Sequence, residues 1–206
     1  MEYYIYNIPV FVVNPPGANV NLPDFCAEVE ALLPQQSLLR NIEVVYIGQF
    51  RELQGRNATY AHGAIYMSSA EPTNFDMMEN FIHEVAHSLE RDHAWDIYSD
   101  DLLTEFKGKR SRLYQILHAR GYQVNPMLFA FAEYNKNFDE FLSDEVGYPT
   151  LLNLTMGLFV SPYGATSIQE YFANGFEKYF LDSPQRVKNI SPILYTKIED
   201  IINDNM

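Results

Sequence analysis

Phe81-Ile82-His83-Glu84-Val85-Ala86-His87-Ser88-Leu89 is the stretch from which the rest of the chain is read. Phe75, Met78, Ile82, Val85 and Leu89 recur at spacings of three and four, and Phe81 and Ala86 widen the stripe. That pattern predicts a helix over 75–90 with its apolar face toward a core. Positions four apart share a helix face, so His83 and His87 aim two imidazoles at one point. Glu84 stands beside them, offset enough to reach a water held at that point without ligating a metal itself. Two nitrogen donors and a carboxylate base on about one and a half turns form the H-E-x-x-H arrangement of zinc hydrolases. Thr73 or Asn74, after Pro72, is placed to cap the helix, and Asp76 and Glu79 suit the dipole of its early turns.

Upstream of this helix the chain reads mainly as strands. Residues 3–6, 10–13 and 44–47 are β-branched or aromatic, and Asn14-Pro15-Pro16-Gly17 separates the first pair from the third. Residues 23–33 fit a short amphipathic helix, with Asp24 and Glu28 in its opening turns and Pro34 as its stop. Residues 49–57 are polar and read as a loop. Residues 61–67 read as one strand at the sheet edge, where an extended peptide can add by main-chain hydrogen bonds. Downstream, apolar periodicity predicts helices over 109–120, 126–142, 168–181 and 185–204. The fold class is α+β: a small N-terminal twisted sheet with an edge strand, then a mainly helical C-terminal half. No repeat, low-complexity tract or linker interrupts the 206 residues, so 1–206 is read as a single domain, sheet-rich over 1–74 and helical over 75–206.

Composition narrows the function. A net charge of −13 argues against nucleic acid, whose phosphates need a basic stripe, and suits positively charged polypeptide substrates and mere solubility equally. The basic cluster Lys107, Lys109, Arg110 and Arg112 reads as a solvated helix face. The single Cys26 excludes an intrachain disulfide or a thiolate metal cluster and reads as a small buried hydrophobe. No run approaches the roughly 18 apolar residues of a membrane span. Residues 8–13 are too short for a signal core, which leaves a chain that stays inside or one whose leader has been removed. No Gly-x-Ser-x-Gly or Walker loop points to serine hydrolysis or nucleotide chemistry. His62 reads as an exposed residue in reach of a substrate and His118 as a surface or boundary residue; the sequence assigns Trp95 to no pocket, and Leu128-Phe129-Ala130-Phe131 reads as core.

A catalytic zinc takes three protein ligands and keeps one open position. Two candidates compete for the third place. His93 stands six residues after His87, as in H-E-x-x-H-x-x-G-x-x-H, but the midway glycine of that pattern is Glu90 here. Glu170 opens a helical segment in which Ile168, Tyr171, Phe172, Phe176, Tyr179 and Phe180 are periodic. Ser167-x-x-Glu170 is also a capping box, so spacing alone leaves Glu170 as ligand and Glu170 as cap both open.

Pro162-Tyr163-Gly164-Ala165-Thr166-Ser167-Ile168-Gln169-Glu170-Tyr171-Phe172-Ala173, taken with His83-Glu84-x-x-His87, resembles the anthrax lethal factor catalytic domain. The Pro-Pro endopeptidases carry a similar Glu-Tyr-Phe-Ala signature. The likeness spans roughly a third of the chain and continues weakly from Pro184 to Met206. It implies a zincin/gluzincin-like fold and one catalytic Zn2+ held by His83, His87 and Glu170. It further implies Glu84 as general base and Tyr163 as the donor that stabilises the transition state. Asn174 departs from the family, which has a second acid at that place. The resemblance implies a toxin-related, secreted endopeptidase acting on protein or peptide segments that contain proline or basic residues. Substrate-binding residues and oligomeric state are not indicated. The alternative from another class is a non-catalytic binding module of the same fold, keeping zinc as a structural staple.

Overall fold

The aromatic and β-branched runs near the N-terminus build one mixed sheet in the computed structural model, which describes residues 2–204. Its strands are β1 (Tyr3–Ile5), β2 (Ile8–Val12), β3 (Val44–Gly48), β4 (Ala58–Ala61) and β5 (Ala64–Ser68), in spatial order β1-β2-β3-β5-β4. The two outer pairings are antiparallel and the inner ones, β2 with β3 and β3 with β5, are parallel. Alternation along the strands gives two unlike faces. Val10, Val45 and Ile65 lie abreast and are buried, as are Ile47 and Met67. On the opposite face Phe11, Tyr46 and Tyr66 stack across the strands, with centroids 5.8 and 5.3 Å apart.

The expected edge strand over 61–67 is corrected here. His62 (φ 51) and Gly63 (φ 83) turn the chain back on itself, so the strand begins only at Ala64 and Ala61 ends the strand before it. Two successive residues with positive φ match the twist of a tight hairpin. β5 therefore lies inside the sheet between β3 and β4, and β4, within a stretch bordering the expected loop, forms the edge.

Helix α1 (Leu22–Leu32) matches its predicted span; the Asn21 side chain caps it, accepting from the Asp24 N–H. The motif helix α2 (Asn74–Ile97) is capped by the Thr73 hydroxyl, which accepts from the Asp76 N–H. Met77, Phe81, Ile82, Val85, Ala86 and Leu89 are wholly buried along it, and Phe81 meets Phe25 of α1 edge-on at 5.9 Å. Phe75, expected in that stripe, is exposed instead, and Met77 takes its place. The described residues pack as two compact units: one holds residues 2–92 together with 201–204, the other residues 93–200.

The second unit is helical: α3 (Asp100–Ala119), α4 (Met127–Ala130), α5 (Lys136–Glu140), α6 (Tyr148–Leu154), α7 (Ile168–Leu181) and α8 (Pro184–Ile190), followed by α9 (Pro192–Asp204). The single helix expected over 126–142 is broken at 131–135, where the Ala132 carbonyl accepts from the Ile168 N–H. Phe129 is buried but Phe131 is exposed, so only part of that aromatic run is core. A π-helical turn at Phe141–Val146 then leads through Gly147 (φ 80) into α6, which the periodicity did not predict. The helix expected over 185–204 stops at Ser191 because Pro192 has no N–H to continue it.

The basic cluster is the largest departure from expectation. Lys107 and Arg112 are exposed, but Arg110 is wholly buried and Lys109 partly so. The Lys109 ammonium donates to the Leu158 and Ile190 carbonyls at 2.7 and 2.6 Å. Arg110 donates to the Ala165, Thr166 and Leu128 carbonyls and stacks on Phe138, 3.9 Å from the ring centre. These cations tie loops together instead of facing water. No helix among the described residues is long and apolar enough to cross a membrane.

Candidate metal centre

The two motif histidines converge. His87 Nε2 lies 3.3 Å from His83 Nε2, and the rings stand at 71° to each other. Two zinc–nitrogen bonds of about 2.05 Å at a tetrahedral angle separate their donors by about 3.3 Å, so the spacing suits a shared ion. His87 Nδ1, on the far side of its ring, faces Glu90 Oε1 at 2.7 Å. His83, His87 and Glu170 each offer one ligand atom, and these atoms all lie within 4.8 Å of one another. A nitrogen, nitrogen and carboxylate oxygen set is a chemically suitable zinc donor set.

Glu84 is nearly buried, and its Oε2 accepts the Tyr60 N–H of edge strand β4 at 2.7 Å. The sheet edge thus holds one carboxylate oxygen of Glu84. A second set of bonds fixes the same strand to the same helix. The Tyr60 hydroxyl donates to the Asn41 carbonyl at 3.0 Å. The Asn41 amide, itself buried, donates to the Ser88 carbonyl and to Asp92 Oδ2, each at 2.9 Å. Glu84, Ser88 and Asp92 are successive positions along one helix face, so Asn41 pins the face that carries Glu84. The Asn41 amide, aided by the Arg40 guanidinium, holds the Asp92 carboxyl below its ordinary range.

In the helical unit, Tyr163–Ala165 forms a 3-10 turn ahead of α7. The Ser167 hydroxyl caps α7 by accepting from the Glu170 N–H at 3.1 Å. Asn174 is buried, and its amide donates to the Glu170 backbone carbonyl at 2.8 Å. Its polarity is therefore spent on the helix, where the resembling family places an acid. The Tyr148 ring packs edge-on against Tyr163 at 6.3 Å, and its hydroxyl donates to Asp139. Burial, then the nearby Asp139, Tyr163 and Glu170, raise the Tyr148 phenol far above its ordinary value. Arg110, grasping the Ala165 and Thr166 carbonyls, anchors the turn that presents Tyr163.

His93 is not among the grouped ligands. α2 continues through it, and six helical residues place it about 240° around the axis from His87. It is buried, contrary to the exposed position its charged neighbours suggest. His62 and His118 are exposed, as expected, and Trp95 is 92% exposed. Sequence reasoning overlooked Glu90, Asn41 and Tyr148. Of these only Glu90 carries a local signal, its three-residue spacing from His87 on one helix face. A search of family models, curated proteins and solved structures found no match to this chain.

Proposed function

We propose that this chain is a zinc-dependent endopeptidase of the H-E-x-x-H, gluzincin type, related to the lethal factor and Pro-Pro endopeptidase group. The observation that carries the reading is the meeting of three ligand atoms, from His83, His87 and Glu170, within 4.8 Å of one another. His83, His87 and Glu170 would hold the ion. When bound, zinc supplies Lewis acidity that brings the pKa of water from about 15.7 toward about 7. Glu170 contributes one negative charge, so the centre stays a net cation and keeps its pull on a carbonyl oxygen.

Glu84 takes the proton of the attacking water and returns it to the leaving amine. The Tyr60 N–H, bonded to one oxygen of Glu84 at 2.7 Å, orients the carboxylate for both transfers. Tyr163 donates its phenolic hydrogen to the oxygen that gains charge as the peptide carbonyl is attacked. The acidic chain favours encounter with basic peptide segments, and the resemblance adds proline-containing ones.

Elemental analysis of the purified chain should give one zinc per molecule. Glu84→Ala should retain that zinc and lose turnover on an unbiased peptide library. Tyr163→Phe should lower kcat by about 10²–10³, the usual cost of one oxyanion donor. A fully active Glu84→Ala variant refutes the mechanism. Zinc binding without cleavage of any library member favours the structural-staple reading, in which chelation lowers the melting temperature and no activity is ever present.

A further inference from the structure

The His87 ring is held at both ends within one helix. Its Nδ1 meets Glu90 Oε1 at 2.7 Å, and its Nε2 faces His83 Nε2 at 3.3 Å. The His87 and Glu90 side chains are each 22% exposed, so the contact is largely shielded from water. We propose that Glu90 is the positioning residue of the metal centre, fixing both the tautomer and the rotation of His87. The inference rests on the zinc reading above and names the group that readies one ligand.

The chemistry is forced by donor and acceptor counts. An ionised carboxylate only accepts, so a 2.7 Å contact with Nδ1 requires the proton to sit on Nδ1. A neutral imidazole with Nδ1–H carries its free lone pair on Nε2, the nitrogen turned toward His83. Without an acceptor at Nδ1 the proton is free to occupy Nε2, and the ligand atom is then blocked. A carboxylate behind a ligating histidine also raises the basicity of the ring. Glu90 lies one turn beyond His87 on the same continuous helix, so the two side chains meet without a loop between them. An ordinary surface pair three residues apart would do none of this and would be indifferent to metal.

The test uses the full chain, stripped of metal and titrated with Zn2+ against a chromophoric chelator, as wild type, Glu90→Ala and Glu90→Gln. Glu90→Ala should weaken zinc binding about 10–100-fold, the usual cost of removing such a partner. Glu90→Gln, whose amide oxygen still accepts from Nδ1, should recover much of the loss. Melting temperatures without metal should agree within about 2 °C, since a pair three residues apart on one helix adds little stability. Long-range 1H–15N spectra of the metal-free chain should show His87 protonated at Nδ1 in wild type and redistributed toward Nε2 in Glu90→Ala. Tight zinc binding by wild type that is unchanged in Glu90→Ala overturns this inference alone. A wild-type chain that binds no zinc overturns the metal reading and this inference with it.

Discussion

Arg110→Met tests how the helical unit is held together, because the substitution keeps an unbranched apolar stem while removing every donor. The guanidinium is 1% exposed, and among the described residues no carboxylate pairs with it. Burial alone pulls its pKa down to about 9, still above neutrality, so it enters the interior charged. Two effects oppose each other. Removing a desolvated cation relieves several kcal/mol, which is why buried ion pairs can be replaced by apolar residues without loss. Against this, the Ala165, Thr166 and Leu128 carbonyls lose their partner, at about 1–3 kcal/mol each. The contact over Phe138 at 3.9 Å also goes, and a desolvated cation–π contact is worth about 2 kcal/mol. The losses outweigh the relief by roughly 2–4 kcal/mol. For a chain of this size that lowers the melting temperature by about 5–15 °C, measured by circular dichroism and checked by urea unfolding. Arg110→Lys should be at least as damaging, because an ammonium cannot span three carbonyls or stack flat on a ring. A methionine variant as stable as wild type would show that desolvation dominates and that the carbonyl clamp contributes nothing.

Three further outcomes are expected. Asp92 is more acidic in the folded chain, so the stability it adds is present above about pH 4 and is lost as pH falls through its lowered value. Asn41→Ala removes the largest cause, so the gap between its melting temperature and that of wild type should narrow as pH falls below about 4, leaving the pH-independent loss of the Ser88 bond; parallel curves argue against the linkage. An added Cβ at Gly175 would lie 2.4 Å from Leu194 Cδ2 and 2.9 Å from its Cγ. Gly175→Ala gains about 1 kcal/mol of helix propensity but overpacks a buried leucine at about 1–3 kcal/mol, so urea melts should show a net loss. Burial pushes the Cys26 thiol up to about 11, and the side chain is 6% exposed. A disulfide reagent at pH 8 should therefore label it only as the chain unfolds, and prompt labelling of the native protein contradicts its placement.

The parts of the fold that were legible in advance are those set by local pattern. α1 follows from its amphipathic run, although its cap is Asn21, and the buried stripe of α2 follows from spacings of three and four. The grouping of His83, His87 and Glu170 required the resemblance, since spacing left Glu170 divided between capping and ligation. What escaped is fixed by residues far apart. The β4–β5 corner reads as strand because His62 adopts a positive φ that its side chain does not advertise. The break in the helix expected over 126–142 coincides with a bond from Ile168 to Ala132, beyond the reach of any periodicity window. Lys109 and Arg110 look like a solvated face because their partners, at Leu128, Leu158, Ala165, Thr166 and Ile190, are carbonyls, which leave no signature in side-chain composition.

The sheet unit is assembled from two separate pieces of chain, residues 2–92 and the segment that begins at Ile201. During synthesis its strands and motif helix leave the ribosome long before Ile201, which is 2% exposed in the finished fold. That unit reaches its full complement only once more than a hundred intervening residues, 93–200, have also emerged. Its completion is therefore a late event in the making of the chain, and a truncation ahead of Ile201 strikes the sheet unit and not merely the helical one.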